Sequence, residues 1–159
     1  MSVAPSRVIS LRLALSGFAE SWSHCSTVAD YLARYAASDR FDPEGLTTRI
    51  SSFLNEVLEL GYRNHSGGTV AIDVTREEAA IHVVCEVPAD DAVAGIFAEA
   101  LAGLDDPDLR DRHRDGFLAL LDAPKPAGAF VEMAAIHGLT PTLKRGDGAV
   151  VVSLTIPAE

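Results

Sequence analysis

Five histidines and two cysteines are the residues that could hold a metal or act as a nucleophile in this chain. His24, His65, His82, His113 and His137 do not make a zinc site. No two sit at the i, i+4 spacing that puts two imidazoles on one helical face, and no Cys/His cluster accompanies them. His24-Cys25 could suggest a thiol activated by imidazole. Adjacent residues on a helix or loop point different ways, however, so Cys25 reads as a core residue. His65, beside Ser66-Gly67-Gly68, reads as a cation at a helix C-terminus, where the dipole favours it, and not as a phosphoacceptor. Gly67-Gly68 leads into a strand with no Lys-Ser or Lys-Thr behind it, which excludes a phosphate loop.

The elements that must position these residues follow from apolar spacing. Ile9, Leu11, Leu13 and Leu15 alternate with Ser10, Arg12 and Ala14, which predicts a first strand over 8–15. From Ser26, read as an N-cap, Val28, Tyr31, Leu32, Tyr35 and Ala36 recur at helical spacing to about residue 37. Ile50, Phe53, Leu54, Val57, Leu58 and Gly61 predict a second helix over 45–64. Val70, Ile72 and Val74, then Ile81, Val83, Cys85 and Val87, predict a hairpin turning at Arg76-Glu77-Glu78. Val93, Ile96, Phe97, Ala100, Leu101 and Leu104 predict a third helix after Pro88. Asp105-Asp106-Pro107 opens a charged fourth around Leu109, Phe117, Leu120 and Leu121, which Pro124 and Pro126 stop. A shorter helix over about 127–137 leads to a closing hairpin, 140–145 with Val150, Val152, Leu154 and Ile156, turning at Gly146-Asp147-Gly148. Two hairpins and a short first strand predict a mixed, mostly antiparallel sheet covered on one face by helices, an α/β two-layer sandwich in a single domain over 1–159.

Composition limits the partners. Lys and Arg total 13 against 23 Asp and Glu, a formal charge of −10, so nucleic acid and anionic membranes are repelled over most of the surface. Cys25 and Cys85 suit reduced, buried thiols, and neither a signal peptide nor an apolar run of 18 residues is legible. A cytoplasmic location is the expectation.

The stretch Leu54-Asn55-Glu56-Val57-Leu58-Glu59-Leu60-Gly61-Tyr62-Arg63-Asn64-His65-Ser66-Gly67-Gly68 resembles the N-box helix of the GHKL superfamily, the histidine-kinase-like ATPases. With the hairpin 69–87, the helix Ala127–Gly138 and the closing hairpin, the resemblance covers roughly 45–157 in the family's order. It is greatest to the small stand-alone bacterial regulators of the anti-sigma-kinase type. The resemblance implies a nucleotide pocket, and this chain departs from it in three places. Where the family's N-box places an Asn that coordinates magnesium, this chain has Leu60, whose isobutyl group offers a hard cation no oxygen. Where the family places Asp-x-Gly-x-Gly to receive adenine, Glu86-Val87-Pro88-Ala89-Asp90-Asp91 keeps a carboxylate and loses both glycines. The second glycine box, which holds phosphate at a helix N-terminus, is reduced to Ala127-Gly128-Ala129.

Glu56 stands where related kinases place the residue that prepares the attacking hydroxyl. It shares a flank of its helix with Leu60, beside the apolar stripe, and reads either as a base or as a solvated helix charge near Arg49 and Arg63. The expectation is therefore a non-catalytic regulatory module with no cofactor and no metal, binding a protein partner of the antagonist-like, response-regulator or sigma-factor class. One alternative is an ATP-dependent serine/threonine kinase of a small partner, with Glu56 as base and magnesium held by Glu59 or Asp90. Another is a structural, homodimeric subunit of a larger assembly that packs by a sheet edge or by the first helix. Region 88–125, the place of the family's mobile lid, is expected to form two ordered helices. There Phe97, Arg110 and Arg112 would serve a protein contact whose rim is the charged run 105–115.

Overall fold

The computed structural model describes residues 6–18, 23–40, 42–64, 67–104, 108 and 129–157. Helix α2, Pro43–Asn64, is the longest element. It starts with proline at its first position, where a missing N–H costs nothing, and Asp42 Oδ1 accepts from the Gly45 amide at 3.0 Å. Leu46, Ile50, Phe53, Leu54, Val57, Leu58 and Gly61 are all buried, which matches the expected stripe. The stripe rests on a sheet whose strands β1 (Ser6–Ala14), β2 (Thr69–Arg76), β3 (Ala80–Pro88), β4 (Thr142–Gly146) and β5 (Ala149–Pro157) stand in the order β1-β2-β3-β5-β4. Val70, Ile72, Val74, Ile81, Val83, Cys85, Val87, Val150, Val152, Leu154 and Ile156 all point to the helix side and are buried. The alternate residues face outward, so among the described residues the helices cover one face only, as expected of two layers.

The expected mixed sheet is corrected: every pairing is antiparallel. The reason is the connection after β1. A single crossover helix would return the chain for a parallel strand, but here α1, Ser23–Ala37, and α2 form an antiparallel pair joined by five residues. Two helix lengths bring the chain back to the end where β1 stopped, and Ala14 lies opposite Thr69.

Helix α1 brings a second correction. It begins at Ser23, so Ser26 lies within it and is not the cap. Its buried stripe is Cys25, Ala29, Leu32, Ala33, Ala36 and Ala37, while Tyr31 and Tyr35, expected inside, are 66% and 52% exposed. Alanines let α1 approach α2 closely, and the phenols keep their polar ends in water. The α1–α2 turn is tied to the tip of the first hairpin by two arginines. Arg40 donates to the Glu77 and Glu78 carbonyls at 2.9 and 3.3 Å, and Arg76 pairs with Asp39.

Helix α3, Asp91–Ala100, is shorter than expected; the chain turns at 101–104, where Gly103 takes a φ of +77°. Val93, Phe97 and Leu104 are buried all the same, because the turn keeps Leu104 over the core. Helix α4, Ala129–His137, packs Phe130 against Phe53 of α2, ring centres 6.0 Å apart. The fourth helix expected over about 109–121, with Arg110, Arg112 and His113, lies outside the described residues.

Two outcomes check this packing. Leu54→Ala, at a fully buried position, should lower stability by roughly 2–5 kcal/mol in urea titration, through lost transfer free energy and the cavity left behind. Gly68→Ala should cost about 1–3 kcal/mol and more than Gly67→Ala. Both glycines have φ near +100°, but only at Gly68 would the new methyl sit 2.8 Å from Pro88 Cγ, while nothing lies within 4 Å at Gly67.

Candidate functional site

The end of the sheet where β1 and β3 stop and β2 and β5 start lies beneath the last turns of α2, which carry Leu60 and Gly61. Leu15 N donates to Gly68 O at 3.0 Å and Ala89 N donates to Gly148 O at 2.9 Å, so four connections are laced there in two pairs. Helix α2 ends above them. Gly61 passes so close to β3 that a Cβ would lie 3.2 Å from Val87 Cγ1. The Asn64 side-chain amide donates to the Leu60 carbonyl at 2.8 Å and satisfies one of the helix's last acceptors.

On α2, Glu56 and Leu60 follow Phe53 at i+3 and i+7, on the flank turned toward α4. Both are half-buried, and Leu60 packs against the hydrophobic core. The arginines expected around Glu56 have other carboxylates beside them: Arg49 lies 3.8 Å from Asp42, and Arg63 lies 3.6 Å from Glu59. Glu59 also accepts from Asn55 Nδ2 at 3.2 Å. Asp90 is the N-cap of α3, its Oδ1 accepting from Val93 N at 2.8 Å. The two carboxylates offered for magnesium are thus each engaged in helix structure.

Glu86 lies on the other side of the molecule. It is exposed and alternates on β3 with the buried Cys85 and Val87, so it stands on the open face of the sheet while Glu56 stands among the helices. The sheet itself separates the two, and the expected pocket is not assembled around them. Gly128, His65, Ser66 and His113 lie outside the described residues. His82 sits on the open face, its Nδ1 3.0 Å from Thr155 Oγ1 and its Nε2 3.4 Å from Glu77. His24 and His137 are exposed on α1 and at the end of α4. No group of three or more His, Cys, Asp or Glu is placed to hold a metal ion among the described residues, and none of their helices is long and apolar enough to cross a membrane.

The structure adds a feature that the sequence did not disclose. The β4–β5 turn folds toward the start of α3, and Arg145 reaches Asp91 at 2.6 Å. Between them lies an open depression of about 800 Å³ walled by Asp90, Asp91, Ala94, Arg145 and Asp147. Its lining carries no hydroxyl, thiol or imidazole; its charged side chains are three aspartates and one arginine. Asp91 is fully exposed, and water screens the pair. The depression presents charge of both signs. Arg145 and Asp91 are 54 positions apart, and only the folding of the last hairpin over α3 joins them.

Both cysteines are buried and reduced. Desolvation, then the nearby charge of Glu59, pushes the Cys25 thiol up. Desolvation, then the charge of Asp73, pushes Cys85 further. Neither supplies a thiolate nucleophile. No family model matches the chain, and no curated protein matches its sequence.

The thiols predict an alkaline dependence. A thiol whose value is raised by folding keeps its proton in the native core while the unfolded chain releases it, so stability is unaffected below about pH 8.5 and falls as the pH climbs beyond. Urea midpoints measured from pH 7 to 10 should show that decline, and a Cys85→Val variant should show less of it. A thiol reagent at neutral pH should label neither cysteine until denaturant is added.

Proposed function

We propose that the chain is a histidine-kinase-like (GHKL) scaffold that works without nucleotide, as a regulatory module that binds another protein in bacterial cytoplasmic signalling. The observation that carries this reading is Leu60. At the position where the resemblance asks for a magnesium ligand, a half-buried apolar side chain packs against the core, one helical turn from Glu56. The Leu60 side chain itself offers a cation no oxygen. Two further facts support it: Glu86 stands on the opposite face of the sheet from Glu56, and the 89–91 segment is occupied in capping α3. The partner is of the antagonist-like, response-regulator or sigma-factor class, by analogy with what such scaffolds do when they switch partners.

Thermal melting with millimolar ATP and magnesium should show no saturable shift. A genuine site held at 100 times its Kd would stabilise the fold by roughly 2.7 kcal/mol. A clear shift would transfer the reading to the kinase alternative with Glu56 as base. Calorimetric titration against purified sigma factors, response regulators and antagonist-like domains should find saturable binding, unchanged by ATP, in one class. Binding to none of the three would overturn the proposal.

A further inference from the structure

The two outer strands of the sheet are unlike. β4 has five residues, two of them Lys144 and Arg145, the short charged form that discourages pairing. β1 has nine residues, and among the described residues it is bonded to β2 alone. The direction of its unused hydrogen-bonding groups can be read from the ladder. Leu15 N donates to Gly68 O, and inward-bonding residues alternate along an antiparallel strand. In the register Leu13↔Val70, Leu11↔Ile72, Ile9↔Val74, the odd positions bond to β2 and the N–H and C=O groups of Ser10, Arg12 and Ala14 point to the free edge.

Apolar surface accompanies that edge. Ile9, Leu11 and Leu13 face the helix side yet are only partly buried. Helix α1 touches β1 and turns its Asp30 flank to α2, where Ser51 Oγ donates to Asp30. At 100° per residue Val28 and Tyr35 lie about 140–160° round the axis from Asp30, on the flank that overhangs the free strand. Tyr31 adjoins them, and the two tyrosines are the most exposed large apolar residues described.

We propose that this edge is the interface with a second copy of the chain, β1 pairing antiparallel with β1 of that copy about a two-fold axis at Leu11, with the two α1 helices alongside each other. The strand's own register selects the partner. Outward-pointing residues must face outward-pointing residues, so the axis passes through a residue, and Leu11 is the midpoint of the regular run Ile9–Leu13. There Ile9 faces Leu13 of the second copy, Ser10 faces Arg12, and no like charges meet. An axis at Arg12 would oppose two guanidinium groups, and one at Ser10 would run the pairing into the irregularity between Arg7 and Ile9. About Leu11 the strand is complementary to itself over the whole regular run Ile9–Leu13, and the half-buried leucines and Val28, Tyr31 and Tyr35 would be covered by their equivalents, as an isologous contact requires. This holds independently of which protein the module regulates.

Light scattering and sedimentation on the full chain should give the mass of a dimer that dissociates on dilution. Ser10→Pro removes an N–H that β2 does not use, on an edge where proline is tolerated, and should give a monomer that melts where the unaltered chain melts once it is diluted to monomer. Should that variant fail to fold, Tyr31→Glu with Tyr35→Glu, on exposed positions, serves the same readout. Leu11→Cys places two thiols across the axis in a non-hydrogen-bonded pair, with Cα atoms about 4.5 Å apart, and should oxidise to a covalent dimer. Leu13→Cys alone should not, but should crosslink when mixed with Ile9→Cys. A chain that is monomeric at every concentration, a dimer unaffected by the edge and tyrosine changes, or self-crosslinking by Leu13→Cys in preference to Leu11→Cys would overturn the proposal.

Discussion

Helix α2 must fit against the sheet below it with α1 on one flank and α4 on the other, and its stripe of Leu46, Ile50, Phe53, Leu54, Val57, Leu58 and Gly61 meets all three at once. Among the described residues no other helix has so many neighbours. The close approach at Gly61 sets the helix down on Val87, and the ring contact of Phe53 with Phe130 fixes α4. The alanines of α1 close the other side. Removing apolar area from water drives all of this, at roughly 25 cal/mol per Å², and it acts through one helix wedged at the centre.

Because the helices cover one face, position relative to the sheet decides what can cooperate. Glu56, Glu59 and Asp90 share the helix side, and each lies within helix structure; Glu86, Asp73 and His82 belong to the open side. A pocket that needed carboxylates from both sets would have to reach through the strands. Polar groups of the described residues are organised into caps, i, i+4 pairs and an interhelical bond from Ser51 to Asp30. Such groups stabilise elements and decorate surfaces.

Much of the secondary structure was legible in residues alone. The run Ile50 to Gly61 repeats at helical spacing over three turns, and Val70–Val74 and Ile81–Val87 alternate without interruption, so the period leaves little choice. Helix α1 was legible as a helix but not in its facing. Bulk and helical spacing point Tyr31 and Tyr35 inward, where alanines actually pack. Which side of an amphipathic helix is buried depends on how near its neighbour comes, and small residues permit the nearest approach. The end of α3 was overextended for a related reason, since Leu104 is buried from a turn as readily as from a helix.

The candidate site was legible only one residue at a time. That Leu60 offers a cation nothing, and that the glycines after Glu86 are missing, are matters of residue type, which the sequence by itself determined along with the core positions, the hairpins and the acidic balance. Tertiary structure alone decided that Glu86 and Glu56 stand on opposite faces, that Arg145 meets Asp91, and that the sheet is antiparallel throughout. Those facts depend on the parity of a strand, the reach of a turn and the number of helices in a connection. Each is a relation between segments that only packing brings together.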